Sequence, residues 1–315
     1  MMKRDLALFM ALSRYSEINS KKIKVLIDKK YDNIENFIAA PSEELWQFFK
    51  KKEIILKIRA LSQDNHPDVS KNDYIIDICK DRKIKIITIL DSDYPEMFTR
   101  LSSPPKILFV KGAILPKDMK SFSIIGTRNP THYGHSKARE IAYDLASENF
   151  TIISGLARGI DTQAHIGALD AGGRTIAVIG SGISSIYPPE NEELASDIAN
   201  KGAIISESFP DERVRKWTLQ KRNELNCGLS CGSIFIEGTK KSGTHWQIKF
   251  ALKQNKPLFA LRPKDFARDT SYIPQYIINN FKGYEIQNAQ DVLAIFKRIG
   301  EKNNSNLLDF GIVKA

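Results

Sequence analysis

The stretch Ser121 to Asn191 reads SFSIIGTRNPTHYGHSKAREIAYDLASENFTIISGLARGIDTQAHIGALDAGGRTIAVIGSGISSIYPPEN, and its rhythm decides the fold. The apolar run Phe122 to Ile125 ends in Gly126-Thr127-Arg128, and a helical pattern follows over Gly134 to Glu148. A second run, Thr151 to Ile153, ends in Ser154-Gly155. After another helical pattern, a third run, Thr175 to Ile179, ends in Gly180-Ser181-Gly182. Short β-branched runs that hand over to amphipathic helices predict parallel strands joined by crossover helices. The expected class is α/β, a Rossmann-like, doubly wound, mostly parallel sheet.

Open sheets of this kind take ligands outside the carboxyl ends of their strands. Glycine lets the backbone approach a ligand, and free N–H groups at a helix start attract anions. Arg128 and Arg158 each sit just past a strand end. Guanidinium groups beside backbone donors suit phosphate. A purely structural reading stands beside this one: tight glycine turns, with the arginines paired to Asp161 or Glu140. Repetition along one sheet edge favours a phosphate-lined groove. The usual dinucleotide fingerprint is absent, because the first strand closes on GTRNP, and no G-x-x-x-x-G-K-[ST] occurs.

GTRNPT, SGLARGID, AH-x-GAL, GGRTIAV-x-GSG and IYPPEN together resemble the DprA/Smf family of DNA-processing proteins, of the Rossmann-like SLOG superfamily. The resemblance covers roughly Ile87 to Ala260. It implies a cytoplasmic protein that holds single-stranded DNA and presents it to a RecA-type recombinase in transformation or recombination, with a homodimer left open. Leu219 to Ser230, LQKRNELNCGLS, is similar to the family's FP-x-RNR-x-IAGLS: Lys221, Arg222, Asn223 and Gly228-Leu229-Ser230 correspond. Leu219 stands where an aromatic is usual, Gln220 replaces proline and Glu224 replaces an arginine. Related nucleotide hydrolases carry GT-x-x-E where this chain has Gly243-Thr244-His245-Trp246-Gln247, and Gln247 cannot take a proton as a carboxylate does.

Among 315 residues, 42% are hydrophobic, enough for a packed core in one to three domains. The net charge of +10 suits a polyanion such as nucleic acid. Lysines crowd the N-terminal third (Lys21, Lys22, Lys24, Lys29, Lys30, Lys50, Lys51, Lys52), so total charge does not locate a groove. Cys79, Cys227 and Cys231 form an odd set without metal spacing, which predicts reduced thiols and no metal site. No apolar run reaches membrane-spanning length. Met1 to Phe9 superficially resembles a signal peptide, but its apolar part is short and Arg14 and Glu17 follow, so an amphipathic helix is expected.

Residues 1–65 read as a small all-helical module, similar to the family's SAM-like N-terminal module, with Asn19-Ser20 capping a helix. Gln63 to Asn72 reads as a linker, 66–300 as the Rossmann-like domain, and 301–315 as a polar tail with no winged-helix domain. Glu207 to Trp217 reads as an irregular basic loop holding Arg213, Arg215, Lys216 and Trp217, a composition that suits single-stranded nucleic acid. Lys241-Ser242-Gly243-Thr244 opens a helix and offers a second anion site. Pro257 to Leu261 reads as the last parallel strand.

No catalytic constellation is recognisable; Asp161 and His165, four apart, read as a helix-start hydrogen bond. The expectation is a binding protein with no cofactor and no membrane contact, whose phosphate contacts come from Gly126, Thr127, Arg128, Ser154, Gly155, Arg158, Gly180, Ser181, Gly182, Lys221, Arg222, Asn223, Ser242, Gly243 and Thr244. The alternative is a sensor or enzyme for a nucleotide-derived small molecule, in a defence setting, using the same groove.

Overall fold

The computed structural model describes residues 1–63 and 66–302. The expected tail from 303 onward, and the expectation about a winged-helix domain, lie outside the described residues. The chain divides into two compact units, Met1–Phe109 and Val110–Ala315.

The first unit holds the expected helical module. Helix α1 (Lys3–Ser13) buries Leu8, Phe9, Met10 and Leu12. Helix α2 (Ser20–Leu26) is capped as expected: the Asn19 side chain accepts from the Lys22 amide at 3.1 Å. Helices α3 (Ile34–Ala39), α4 (Ser42–Phe49) and α5 (Lys52–Ala60) follow. Phe37, fully buried, meets the Tyr31 and Phe49 rings edge-on. From Pro67 onward the expected linker is already helical, and it joins the helix that the sequence predicts from Asp73 to form α6 (Pro67–Asp81). Proline is preorganised for the first helical position, and His66 Nδ1 accepts from the Asp68 amide at 3.2 Å, so these residues open a helix where composition reads as a loop. Strand β1 (Ile84–Thr88), helix α7 (Glu96–Thr99) and strand β2 (Ile107–Gly112) complete this part of the chain.

The second unit alternates as the sequence predicts. Its elements are β3 (Ser121–Ile125), α8 (His132–Ser147), β4 (Thr151–Ser154), α9 (Ile160–Asp170), β5 (Thr175–Val178), α10 (Glu192–Lys201), β6 (Ala203–Ser206), α11 (Lys216–Leu229), β7 (Ser233–Phe235), α12 (Thr244–Lys253), β8 (Leu258–Leu261), α13 (Tyr272–Phe281), β9 (Tyr284–Ile286) and α14 (Ala289–Lys302). The strand order is β6-β5-β4-β3-β7-β8-β9, and each neighbouring pair is parallel. The chain starts in the middle at β3, steps outward to β6, then returns to β3's other side with β7. The register there pairs Ile124 with Ile234 and Ile125 with Phe235. Strand β9 lies beyond the expected last strand; at three residues, with Tyr284 and Glu285 exposed, it carries too little alternation to be read.

Successive side chains of a strand face opposite ways, and the core follows that rule. Phe122, Ile124, Ile234, Phe259 and Leu261 pack on one face with Ile141, Leu145, Ile160, Val292 and Phe296 from α8, α9 and α14. Ile125, Phe235, Leu258 and Ala260 pack on the other with Cys227, Ile248, Ala251, Ile273 and Ile277 from α11, α12 and α13. Helices cover both faces, which is the doubly wound arrangement. In the AH-x-GAL motif, Gly167 lets α9 lie directly on α8: a Cβ there would come within 2.2 Å of the Arg139 carbonyl oxygen.

Candidate nucleic-acid interface

The strand order reverses between β3 and β7, and ligands of open α/β sheets bind at such a switch point. A cleft of about 390 Å³ opens there. Gly126, Thr127 and Arg128 line it from the end of β3, Lys216, Leu219, Gln220, Arg222 and Asn223 from α11, and Thr239 to Gln247, in part, from the turn after β7 into α12. The sheet is pinned beneath it by side chains: Gln247 Nε2 donates to Ser123 Oγ at 3.2 Å and Ser233 Oγ at 3.0 Å, and Ser123 Oγ donates to Ser233 Oγ at 2.9 Å. Gln247 is fully buried, so it ties two strands together rather than facing solvent.

Arg128 is exposed and has no ion pair among the described residues. Arg222 is the opposite case. Its Nη2 lies 3.3 Å from Asp161 Oδ2, with both side chains almost wholly buried. The guanidinium lies against Gly155, where a Cβ would meet Nη1 at 1.3 Å. A side chain at 155 would therefore displace the guanidinium of an arginine 67 residues later. Burial raises the Asp161 pKa above its ordinary value, while Arg222 and the amides of Ala157 and Gly155 oppose that shift.

At the ends of β3, β4 and β5, backbone and side-chain donors are engaged by the protein itself. At β3, Thr131 Oγ1 caps α8 by accepting from the Gly134 amide at 3.1 Å, and the Glu237 carboxylate holds that cap: its Oε2 accepts from the Thr131 amide at 2.8 Å and its Oε1 from the Thr131 hydroxyl at 2.6 Å. At β4, Asp161 Oδ2 accepts from the Gly155 amide at 3.2 Å. The loop is clamped from outside by the IYPPEN motif: Glu190 Oε2 accepts from Arg158 Nη2 at 2.9 Å, and Asn191 Nδ2 donates to the Leu156 carbonyl and the Thr162 hydroxyl, each at 2.9 Å. The guanidinium holds the Glu190 carboxyl below its ordinary value. At β5, the Gly182 amide donates to the Glu212 carbonyl at 2.8 Å. Of the groups assigned to phosphate from the sequence, the Thr127, Gly155 and Gly182 amides and the Arg158 guanidinium are engaged within the protein. The start of α12 differs: Gly243 is exposed, with no neighbouring atom within 4 Å of a Cβ built there.

The model of a family described as DNA recombination-mediator protein A matches residues 85–297, most of the chain. The chain belongs to that family. Among curated members, it is 35% identical over 208 residues to the DNA processing protein DprA of Bacillus subtilis, covering 65% of this chain and 70% of that one. It is 32% identical over 216 residues to the DprA of Streptococcus pneumoniae, covering 69% and 76%. The X-ray structure of DprA from Streptococcus pneumoniae superposes with a TM-score of 0.69 at 26% identity, covering 93% of this chain and 98% of that one. A structure of the Helicobacter pylori DNA processing protein A, described for its unique single-stranded DNA binding mode, superposes with a TM-score of 0.61 at 30% identity, covering 68% and 97%.

Within this recombination-mediator fold, the expected site residues separate into groups. Gly126, Thr127, Arg128, Arg222, Asn223, Ser242, Gly243 and Thr244 converge on the large cleft. Gly155, Arg158, Gly180 and Ser181 line an adjoining depression that shares Arg128 and Arg222 with it. Ser154, Gly182 and Lys221 line neither. The Ser154 hydroxyl is spent on the Ile124 carbonyl at 2.6 Å, and Gly182 serves a turn packed against Phe209. Lys221 faces solvent and pairs with Glu207 at 2.7 Å, not with Glu224. Residues 216 and 217, expected in an irregular loop, instead begin α11, where Trp217 is 55% exposed. Lys216, read in the basic loop, Lys241, read in the second anion site, and Trp246, given no contact from the sequence, also line the cleft. Their signal was present, since each adjoins a turn or helix start already read as functional.

The expected Asp161–His165 hydrogen bond is replaced by two separate ones. Asp161 is drawn to Arg222, and His165 Nδ1 sits 2.6 Å from Thr175 Oγ1. His165 is fully buried, and burial with the nearby Arg222 charge lowers its pKa to about 3 from 6.5. The unfolded chain takes up a proton near pH 6.5 that the folded one refuses, so stability is full above that value and falls as pH drops toward 3. A slope of about 1.4 kcal/mol per pH unit is expected from this group. Urea unfolding of the wild type and His165→Gln at pH 7.5 and 5.5 checks it: the variant should lose that much less on acidification.

Proposed function

We propose that the cleft between the ends of β3 and β7 binds single-stranded DNA, and that the protein presents that DNA to a RecA-type recombinase in the cytoplasm, acting by binding rather than by a chemical step. The observation that carries this reading is the pairing pattern: Arg158, Lys221 and Arg222 are matched by carboxylates, whereas Arg128, Lys216 and Lys241, which converge on the cleft, form no ion pair among the described residues. A line of unneutralised cations is what a phosphate backbone requires. The Helicobacter pylori relative's described binding mode supports the same ligand class.

Titration of the protein with a labelled oligonucleotide across a salt series tests the reading. Contacts from Arg128, Lys216 and Lys241 should give log affinity falling with log salt at a slope of about −2, at roughly −0.7 per contact. A parallel titration with free nucleotides should show far weaker binding. A flat salt dependence, or nucleotide binding as tight as that of the strand, would favour a small-molecule ligand instead.

A further inference from the structure

Electrostatic contacts hold a strand but leave its bases unaccounted for, and the cleft offers one surface for them. Trp246 is the one aromatic side chain among the described residues lining it; Leu219, which lines the same cleft, is aliphatic. The indole is half-buried and braced by Phe250, with ring centroids 6.3 Å apart and planes at 31°. Lys249 Nζ rests 5.3 Å from the indole centroid. That lysine is exposed, and a solvated cation–π contact is weak, so a base can displace the ammonium onto a flanking phosphate at small cost. Trp246 lies three residues after Gly243, about 4.5 Å along the helix axis. A phosphate near Lys241 and the helix start can thus belong to the nucleotide whose base reaches the ring.

We propose that Trp246 is a base-stacking platform, on which one unpaired nucleobase of the bound strand lies. This rests on the single-stranded DNA reading and adds a contact specific to unpaired bases. Every base has a π face, so the platform discriminates single from double strands without reading sequence.

Affinities for oligo(dT) and for an abasic strand of equal length, measured with wild type, Trp246→Leu and Trp246→Tyr, test it. Trp246→Leu should bind oligo(dT) about ten-fold more weakly, and Trp246→Tyr should stay within about three-fold of wild type. Wild type should bind the abasic strand about as weakly as the leucine variant binds oligo(dT). The chain has three tryptophans, so Trp46→Phe with Trp217→Phe leaves Trp246 as the sole reporter, and its fluorescence should be quenched on binding. That readout decides alone if the leucine variant does not fold. Equal binding of the two strands by wild type, or an unquenched Trp246, would overturn the stacking role while leaving the DNA reading intact. No binding of either strand by wild type would overturn both.

Discussion

Arg128→Ala is expected to weaken single-stranded DNA binding by one to two powers of ten while leaving the melting temperature unchanged. The side chain is exposed, carries no ion pair among the described residues and projects from the end of β3 at the switch point. A planar guanidinium can engage two phosphate oxygens at once, and a charge-assisted contact is worth about 1.5–3 kcal/mol. That range corresponds to the stated loss of affinity. A surface substitution without folded-state partners changes stability by about 0.5 kcal/mol or less. Lys221→Ala supplies the contrast. Lys221 lies outside the cleft and its charge is already met by Glu207, so the affinity should stay within about two-fold. The rival assignment made Arg128 a strut bridging to Asp161. The structure gives Asp161 to Arg222, and a large melting shift in Arg128→Ala with unchanged affinity would reinstate that rival.

Arg222→Ala should instead be a folding defect. Removing the guanidinium leaves Asp161 buried at 4% side-chain exposure without its counter-charge. Breaking one half of a buried pair costs about 3–5 kcal/mol, because the remaining charge cannot be rehydrated. A unit of this size should melt about 10 °C lower. Adding Asp161→Asn removes the stranded charge while keeping an oxygen for the Gly155 amide, so the double variant should regain part of the loss. Differential scanning calorimetry of the two proteins checks this. A melting temperature unchanged in Arg222→Ala would mean that the pair is not formed as described.

The two arginines show what the sequence could disclose and what it could not. Both read as phosphate ligands, Arg128 from its place past a strand end and Arg222 from the family-like LQKRN segment. The parallel sheet was legible because Phe122 to Ile125, Thr151 to Ile153 and Thr175 to Ile179 combine β-branched runs with sharp endings, and those features are local. Which donors remain available is decided by side chains far away in the chain. Glu237 occupies the start of α8 from 106 residues downstream of Thr131, and nothing local to GTRNP announces it. Arg222 turns inward because Asp161 and the bare backbone of Gly155 make room for it. Around α12 the partners are local instead: the Thr244 amide donates to Ser242 Oγ at 3.3 Å and the Ser242 amide to the Thr239 carbonyl at 2.9 Å. The first residues of helix α6, Pro67 to Asn72, and strand β9 escaped because Pro67 reads as a breaker out of context, and because three residues with two exposed side chains carry no period.

Hydrogen–deuterium exchange of the intact protein with and without a saturating single-stranded oligonucleotide tests the central claim most directly. The cleft account predicts slowed exchange in the peptides spanning 126–128, the first turn of α11 near Lys216, and 239–246. The lysine-rich segments of the first unit should be unchanged. Protection confined to those N-terminal lysine segments, with the β3 and β7 ends exchanging as in the free protein, would contradict it.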